Sequence, residues 1–241
     1  MASYRVALAG NPNTGKSTLF NALTGLRQHT GNWAGKTVLR AEGQYEFEQQ
    51  SYTVIDLPGT YSLFSNSTDE EVARDYIIFD KPDVTLVVLD ATALERNMNL
   101  ALQVMEMTSN VVLCINLMDE ARRLGISIDA PKLADKLGVP VVKISARSKE
   151  GIHELLKVIH QVAAGVLKPT PRAITYSPEI EQKIQEIVPE IKNAFGNAYP
   201  SRWIALRLIE GDDSIWNALE KYTSVEDRKD WVLDGQSSLH Y

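Results

Sequence analysis

Gly10-Asn11-Pro12-Asn13-Thr14-Gly15-Lys16-Ser17 is the stretch that decides the fold of this 241-residue chain. It has the G-x-x-x-x-G-K-[ST] spacing of a phosphate-binding loop, and its flanks are the ones such a loop requires. An apolar, β-branched run from Tyr4 to Ala9 leads in, and an amphipathic helical pattern from Ser17 to Leu23 leads out. The glycines let main-chain N–H groups close around phosphate oxygens, and the helix start adds partial positive charge. Gly10, Asn11, Pro12, Asn13, Thr14, Gly15 and Thr18 are therefore read as nucleotide-binding positions. Lys16 is expected to reach the β- and γ-phosphates and the Ser17 hydroxyl to hold Mg²⁺. The pattern implies binding of a nucleoside triphosphate.

Working outward, strand and helix signals alternate as far as about residue 166. Strands are expected at Tyr4–Ala9, Val38–Phe47, Tyr52–Asp56, Val84–Asp90, Val111–Asn116 and Val139–Ser145. Helices fall between them, one opened by a capping box at Thr68-Asp69-Glu70-Glu71, one by Asp129 ahead of Pro131, and a last one over Gly151–Val166. Short, continuously apolar strands in alternation with helices imply an α/β fold: a mostly parallel, six-stranded sheet with helices on both faces. The short turn Glu48–Ser51 makes one pair an antiparallel hairpin.

Lys168-Pro169-Thr170-Pro171 interrupts the alternation, and strand signals fade beyond it. Ser177-Pro178 reads as a helix cap with proline in the first turn, followed by an apolar face of Ile180, Ile184, Ile187, Val188 and Ile191. Further helices are expected over Arg202–Glu210, Ser214–Tyr222 and Val225–Leu233. The division is thus a nucleotide-binding domain at 1–167, a linker at 168–176 and a small all-α domain at 177–241.

Composition excludes several classes. Lys and Arg total 25 against 31 Asp and Glu, for a net charge of −6. Residues 172–241 carry 8 basic and 12 acidic side chains. Neither balance suits a nucleic-acid-binding surface. The single cysteine, Cys114, lies within an apolar run and reads as core, so no disulfide framework can form. The opening residues lack a charged n-region followed by an apolar h-region, so no signal peptide is expected, and the longest apolar run is far below the roughly 20 residues that span a bilayer. A soluble protein or fragment of a reducing compartment is expected. Of the four histidines, His153 and His160 are seven apart on the last helix of the first domain and read as surface or interface positions.

Two further motifs narrow the nucleotide. Asp56-Leu57-Pro58-Gly59 follows a strand where a phosphate-loop protein places its second magnesium carboxylate. Asp56 is expected to contact Mg²⁺ through water, and the Gly59 N–H to sense the γ-phosphate. Asn116-Leu117-Met118-Asp119 ends another strand at the sheet's carboxyl edge. There Asp119 can accept from the N1–H and 2-amino group of guanine, a donor pair that adenine lacks. Asn116 is expected to tie this loop to the phosphate loop. Leu117 departs from the common Asn-Lys-x-Asp pattern, although an apolar side chain can still cover the base. Ser145-Ala146-Arg147 follows the last strand, where a main-chain N–H could meet guanine O6. Thr37 lies where a hydroxyl can close over Mg²⁺ and the γ-phosphate. Trp33, in the glycine-rich stretch before it, reads from its surroundings alone as a loop aromatic or a partial core anchor.

Taken together, the phosphate loop, Gly31-Asn32-Trp33-Ala34-Gly35-Lys36-Thr37, Asp56-Leu57-Pro58-Gly59-Thr60-Tyr61-Ser62-Leu63, Asp90-Ala91-Thr92 and Leu94-Glu95-Arg96-Asn97 resemble the cytosolic N-terminal region of the ferrous iron transport protein B (FeoB) family. The resemblance covers essentially the whole chain. It implies a P-loop GTPase fold followed by a helical domain that acts as a GDP-dissociation inhibitor. It further implies a K⁺ ion held by the Asn13 side chain and the carbonyls of Gly31 and Trp33, which speeds hydrolysis. Asn13, Lys16, Thr37 and Gly59 then become the catalytic positions. Thr60 follows Asp-x-x-Gly, so no glutamine orients the attacking water; Glu70, Glu71 and the first-switch backbone are candidates in its place. The family reading implies a membrane-embedded permease beyond the C-terminus, a place on the cytoplasmic face of the bacterial inner membrane, and iron handling outside these residues; a homo-oligomer is equally compatible with it. The rival readings are a ribosome-assembly or RNA-modifying GTPase, which predicts a basic extension, and a guanine-nucleotide sensor without hydrolysis.

Overall fold

β1, Ser3–Gly10, lies near the middle of a seven-stranded sheet and delivers the chain straight into the phosphate loop. The computed structural model describes residues 3–25, 28–34, 36–64, 66–212 and 214–222. The chain divides into two compact units, Met1–Ile174 and Thr175–Tyr241.

The sheet of the first unit runs β2 (Gln28–Asn32), β3 (Leu39–Phe47), β4 (Gln50–Asp56), β1, β5 (Val84–Asp90), β6 (Val111–Asn116), β7 (Val141–Lys143). From β4 to β7 all neighbours are parallel, whereas β2–β3 and β3–β4 are antiparallel. β5 and β6 are buried almost throughout, as expected of parallel strands covered on both faces. On one face Val6, Leu8, Leu86, Val88 and Cys114 form a core with Leu19 and Phe20 of α1 (Lys16–Thr24) and with Leu155 and Ile159 of α6 (Ile152–Ala163). Burying a side chain such as Leu19 contributes about 1.5–3 kcal/mol, which fixes α1 and hence the loop before it. α3, Leu94–Met107, lies against β1, β5 and β6. Burial pushes the Cys114 thiol pKa up, so it is an unreactive core group.

The sequence-based expectations need correction in three places. The sheet has seven strands rather than six, because Gln28–Asn32 pairs along β3. That strand is polar, sits at the sheet edge and buries no side chain, so it carries no hydrophobic period. The β3–β4 turn is only Glu48-Gln49, both at positive φ (48° and 60°). Such a two-residue turn matches the strand twist and lets both strands run on to Phe47 and Gln50. The helix after the second motif, α2 (Thr68–Asp75), is capped by Ser67, whose hydroxyl accepts from Glu70 N at 3.2 Å. The capping box is thus one residue earlier than expected. α2 passes into a π-helical turn, Tyr76–Asp80.

α4 (Met118–Arg123) and α5 (Ala130–Leu137) complete the first unit, with Asp129 capping α5 through Lys132 N at 3.0 Å. His153 is exposed, with Phe47 edge-on to it. His160 is half-buried, its Nδ1 hydrogen-bonded to the Tyr52 hydroxyl at 2.6 Å. Thr170 N and Arg172 N donate to Gly138 O and Leu137 O, both at 2.9 Å.

The second unit holds α7 (Pro178–Phe195), α8 (Ser201–Ile209) and α9 (Ser214–Tyr222). Its core includes Ile184, Ile191, Trp203, Ile204, Ile215 and Leu219. Arg202 forks onto Glu181 at 2.8 and 2.6 Å, linking α8 to α7. The helix expected over Val225–Leu233 lies outside the described residues, as does His240. Among the described residues, no helix is long and apolar enough to cross a membrane.

Candidate nucleotide site

Three loops leave the carboxyl ends of β1, β4 and β6, and a fourth follows β7. Parallel strands bring these ends to one edge, where α/β sheets bind ligands. The loop after β1 turns through Asn13 (φ 67°) and Gly15 (φ 78°) into α1. A Cβ on Gly15 would lie 2.4 Å from Asn116 Nδ2, so only glycine lets the two loops approach this closely. A Cβ on Gly10 would lie 2.8 Å from Val88 O. Thr14 is buried and its hydroxyl donates to Asn11 O at 3.0 Å, which bends the loop back on itself. α1 begins with no side-chain cap, leaving its first N–H groups directed at the loop's concave side. Asn11 is buried with neither amide atom hydrogen-bonded within the protein. Buried polar groups in that condition concentrate where a ligand or ordered water completes them.

Lys16 is largely buried and pairs with the Asp56 carboxylate, while its Nζ also donates to Leu57 O at 2.7 Å. Leu57 N donates to Leu8 O at 3.0 Å, extending the β1–β4 ladder and holding Asp56 beside the phosphate loop. Gly59 packs against Pro12, its would-be Cβ at 3.5 Å from Pro12 N. Ser17 and Thr18 are exposed at the start of α1. The hydroxyls of Ser17 and Thr37 and the Asp56 carboxylate are hard oxygen donors, a set suited to Mg²⁺.

The base-side loops converge on Asn116. Its buried amide donates to Thr14 O at 2.9 Å and accepts from Ala146 N at 3.0 Å, so one side chain joins the loops after β1, β6 and β7. Asp119 is half-buried, and its N–H donates to the Ser145 hydroxyl at 3.0 Å. Leu117, at φ 62°, caps α4 and leans over Gly15, within 3.8 Å of that residue's would-be Cβ. Of the triplet amides, Ser145 N is held by Glu150 O at 3.0 Å and Ala146 N by Asn116; Arg147 is exposed.

Gly31 pairs with Arg40 in the β2–β3 ladder, Trp33 N donates to Val38 O at 2.9 Å, and Trp33 O accepts from Lys36 N at 3.0 Å. The Trp33 ring stands edge-on to Tyr76 (5.3 Å between centroids) with the Arg40 guanidinium over it at 5.0 Å. Trp33 is thus a partial anchor of this hairpin on the π-helical turn. Thr37 is exposed in the connection to β3. The Asn13 amide and the main-chain carbonyls of Gly31 and Trp33 are neutral oxygens of the kind that suit K⁺. Both acidic candidates for orienting water are engaged: Glu71 with Lys36 Nζ at 2.6 Å, and Glu70 with the Ser62 hydroxyl at 2.8 Å and Asn66 N at 3.2 Å.

The family profile of ferrous iron transport protein B matches residues 4–159, and that of the FeoB cytosolic helical domain matches residues 176–233. The chain belongs to the ferrous iron transport protein B family. Among its relatives, the Fe(2+) transporter FeoB of Methanocaldococcus jannaschii is 46% identical over 230 residues, covering 91% of this chain and 34% of that protein. The chain therefore spans about a third of that relative's length. The cytosolic domain of the T. maritima FeoB iron transporter, solved in a GDP form, superposes with a TM-score of 0.84 at 35% identity, covering 95% of this chain and 90% of that one. Its GMPPNP form gives 0.82 at 35% identity, covering 93% and 90%. The FeoB fold of a P-loop GTPase domain plus a helical domain accounts for both units.

Sequence reasoning singled out the phosphate loop, Asp56, Gly59, Asn116 and Asp119, and the fold brings their loops to one sheet edge. It missed the Lys16–Asp56 pair and the Asn116–Ala146 link, since both join residues far apart in sequence.

Proposed function

We propose that this chain is the GTP-binding and GTP-hydrolysing cytosolic part of a ferrous iron transporter. The observation that carries the reading is the convergence of Lys16, Asp56 and Asn116 on one phosphate loop, with Asp119 on the same loop as Asn116. The GDP and GMPPNP forms of the T. maritima relative support a guanine nucleotide as the ligand. Lys16 exchanges Asp56 for β- and γ-phosphate oxygens when nucleotide enters, and Gly59 N–H senses the γ-phosphate. Ser17, Thr37 and Asp56 would hold Mg²⁺, which would supply charge neutralisation to the bound phosphates. Asn13, with the carbonyls of Gly31 and Trp33, would hold K⁺, whose fixed charge would offset charge developing on the phosphates as an arginine finger does. Asp119 accepts from guanine N1–H and the 2-amino group, and the Ser145-Ala146-Arg147 loop closes over the base edge. Water then attacks the γ-phosphate in line, giving GDP and phosphate.

The helical unit acts as a GDP-dissociation inhibitor. A membrane-embedded permease lies beyond the C-terminus of this chain, which places these units at the cytoplasmic face of the bacterial inner membrane. Net acidity supports a partner other than nucleic acid. The test is GTP turnover in KCl against NaCl. Turnover well above the NaCl rate in KCl, lost in Asn13→Ala, supports the reading; equal rates in the two salts, or no loss in the variant, overturn the cation role.

A further inference from the structure

α4 carries Asp119 in its first turn and Arg122 three residues later, so the two side chains share a helix face. The same helix shows what that spacing permits: Arg123 pairs with Glu120, also three apart, at 3.3 Å. Arg122 instead reaches across to Glu150 in a two-pronged ion pair, Nη1 to Oε1 at 2.8 Å and Nη2 to Oε2 at 2.5 Å. Glu150 ends the loop that follows β7. Its main-chain oxygen accepts from Ser145 N, and Gly151 behind it is packed so tightly that a Cβ would lie 2.4 Å from Lys143 O. β7 itself has three residues and pairs only with β6 at the sheet edge. Asp119 lies within electrostatic reach of both partners: Arg122 holds the Glu150 carboxyl below its usual range, and the Asp119 charge opposes that effect.

We infer that Glu150 is a positioning residue for guanine recognition, holding the Arg122 guanidinium away from Asp119 so that this carboxylate stays available to the base. The inference rests on the proposed role of Asp119. Without the Glu150 charge, the acidic group on the same helix face is Asp119, three residues before Arg122, an order that favours pairing. A guanidinium seated there competes for the same oxygens as guanine N1–H and the 2-amino group. Both members of the pair are more than half exposed, so exchanging them leaves the core intact.

The test uses the full chain and the release and affinity of a fluorescent GDP. Glu150→Gln should weaken GDP binding about fivefold, the scale of one competing surface ion pair, chiefly through faster release. Inosine diphosphate, which lacks the 2-amino group, should lose less. The double variant Arg122→Gln/Glu150→Gln, with no guanidinium to compete, should recover most of the loss. A double variant no tighter than Glu150→Gln, or equal losses for both nucleotides, overturns the positioning role, because either result marks simple loop support. Asp119→Asn is measured in parallel for a shift from guanine to xanthine nucleotides. If that shift fails, base reading by Asp119 falls and the inference falls with it; if it holds while Glu150→Gln binds GDP normally, only the inference is overturned.

Discussion

Replacing Asn116 with alanine should be the most damaging single change to the base side of the site. The Asn116 amide is buried and makes two hydrogen bonds, to Thr14 O at 2.9 Å and from Ala146 N at 3.0 Å. Each buried bond contributes about 1 kcal/mol net, and a buried partner left unmatched costs about 1–3 kcal/mol. The carbonyl of Thr14 retains a second lone pair, so most of the penalty falls on Ala146 N. The expected loss of stability is about 2–4 kcal/mol. Asn116 also joins three loops, so their disengagement should lower GDP affinity by about 10- to 100-fold. Urea denaturation of the whole chain, read with and without GDP, gives the first quantity, and calorimetric titration of GDP gives the second. Hydrogen exchange should accelerate at residues 144–150, where the Ala146 amide loses its acceptor. Asn116→Asp is the matched control: it keeps an acceptor for Ala146 N but faces Thr14 O with a second oxygen, so it should also destabilise. A loss below about 1 kcal/mol, with GDP affinity within about threefold of the parent, would refute the keystone role of this side chain.

Lys16→Met leaves the Asp56 carboxylate beside the phosphate loop without its cation and should cost about 1–3 kcal/mol of stability, less than a fully buried pair because Asp56 keeps some contact with solvent. It should abolish measurable GTP binding, and adding Asp56→Leu should restore stability but not binding; restored binding would contradict the phosphate role of Lys16. In the helical unit, hydrogen bonds from Arg202 and from Tyr176 N bring the Glu181 carboxyl pKa down to about 2. A depressed carboxyl stabilises the fold above its unfolded value of about 4.5 and loses that contribution as pH falls towards 2. Acid titration followed by circular dichroism should therefore show a loss of stability in that window, absent in Glu181→Gln; an identical slope in the variant would exclude this pair as its source.

Much of the site was legible because its signals are local. A phosphate loop needs glycine, lysine and a hydroxyl at fixed spacing, and its flanking strand and helix are written in the adjacent residues. The role of Asn116 as a tie to the phosphate loop followed from the motif it opens. Its second bond, to Ala146, did not, since nothing in sequence sets the distance between the ends of β6 and β7. The strand Gln28–Asn32 was illegible for another reason: its pairing is made by main-chain groups along β3, and its side chains bury nothing that would leave a pattern. The cap of α2 moved from Thr68 to Ser67 because adjacent hydroxyl residues both satisfy the local rule, and only the chain's path selects between them.

The sequence by itself determined the phosphate loop, six of the seven strands in their order, the carboxylates of Asp56 and Asp119 in or just beyond strand ends and, among the described residues, the change to helices after Pro171. These are properties of short-range periodicity and backbone preference, readable within a few residues. Tertiary structure alone decided that Lys16 rests on Asp56, that Trp33 is fastened between Arg40 and Tyr76 in a hairpin, and that Arg122 turns from Asp119 to Glu150. Each of those contacts is a choice among several charged or aromatic partners. The choice is made by which loops, strands and helical turns the fold brings together, a distance that no local pattern encodes.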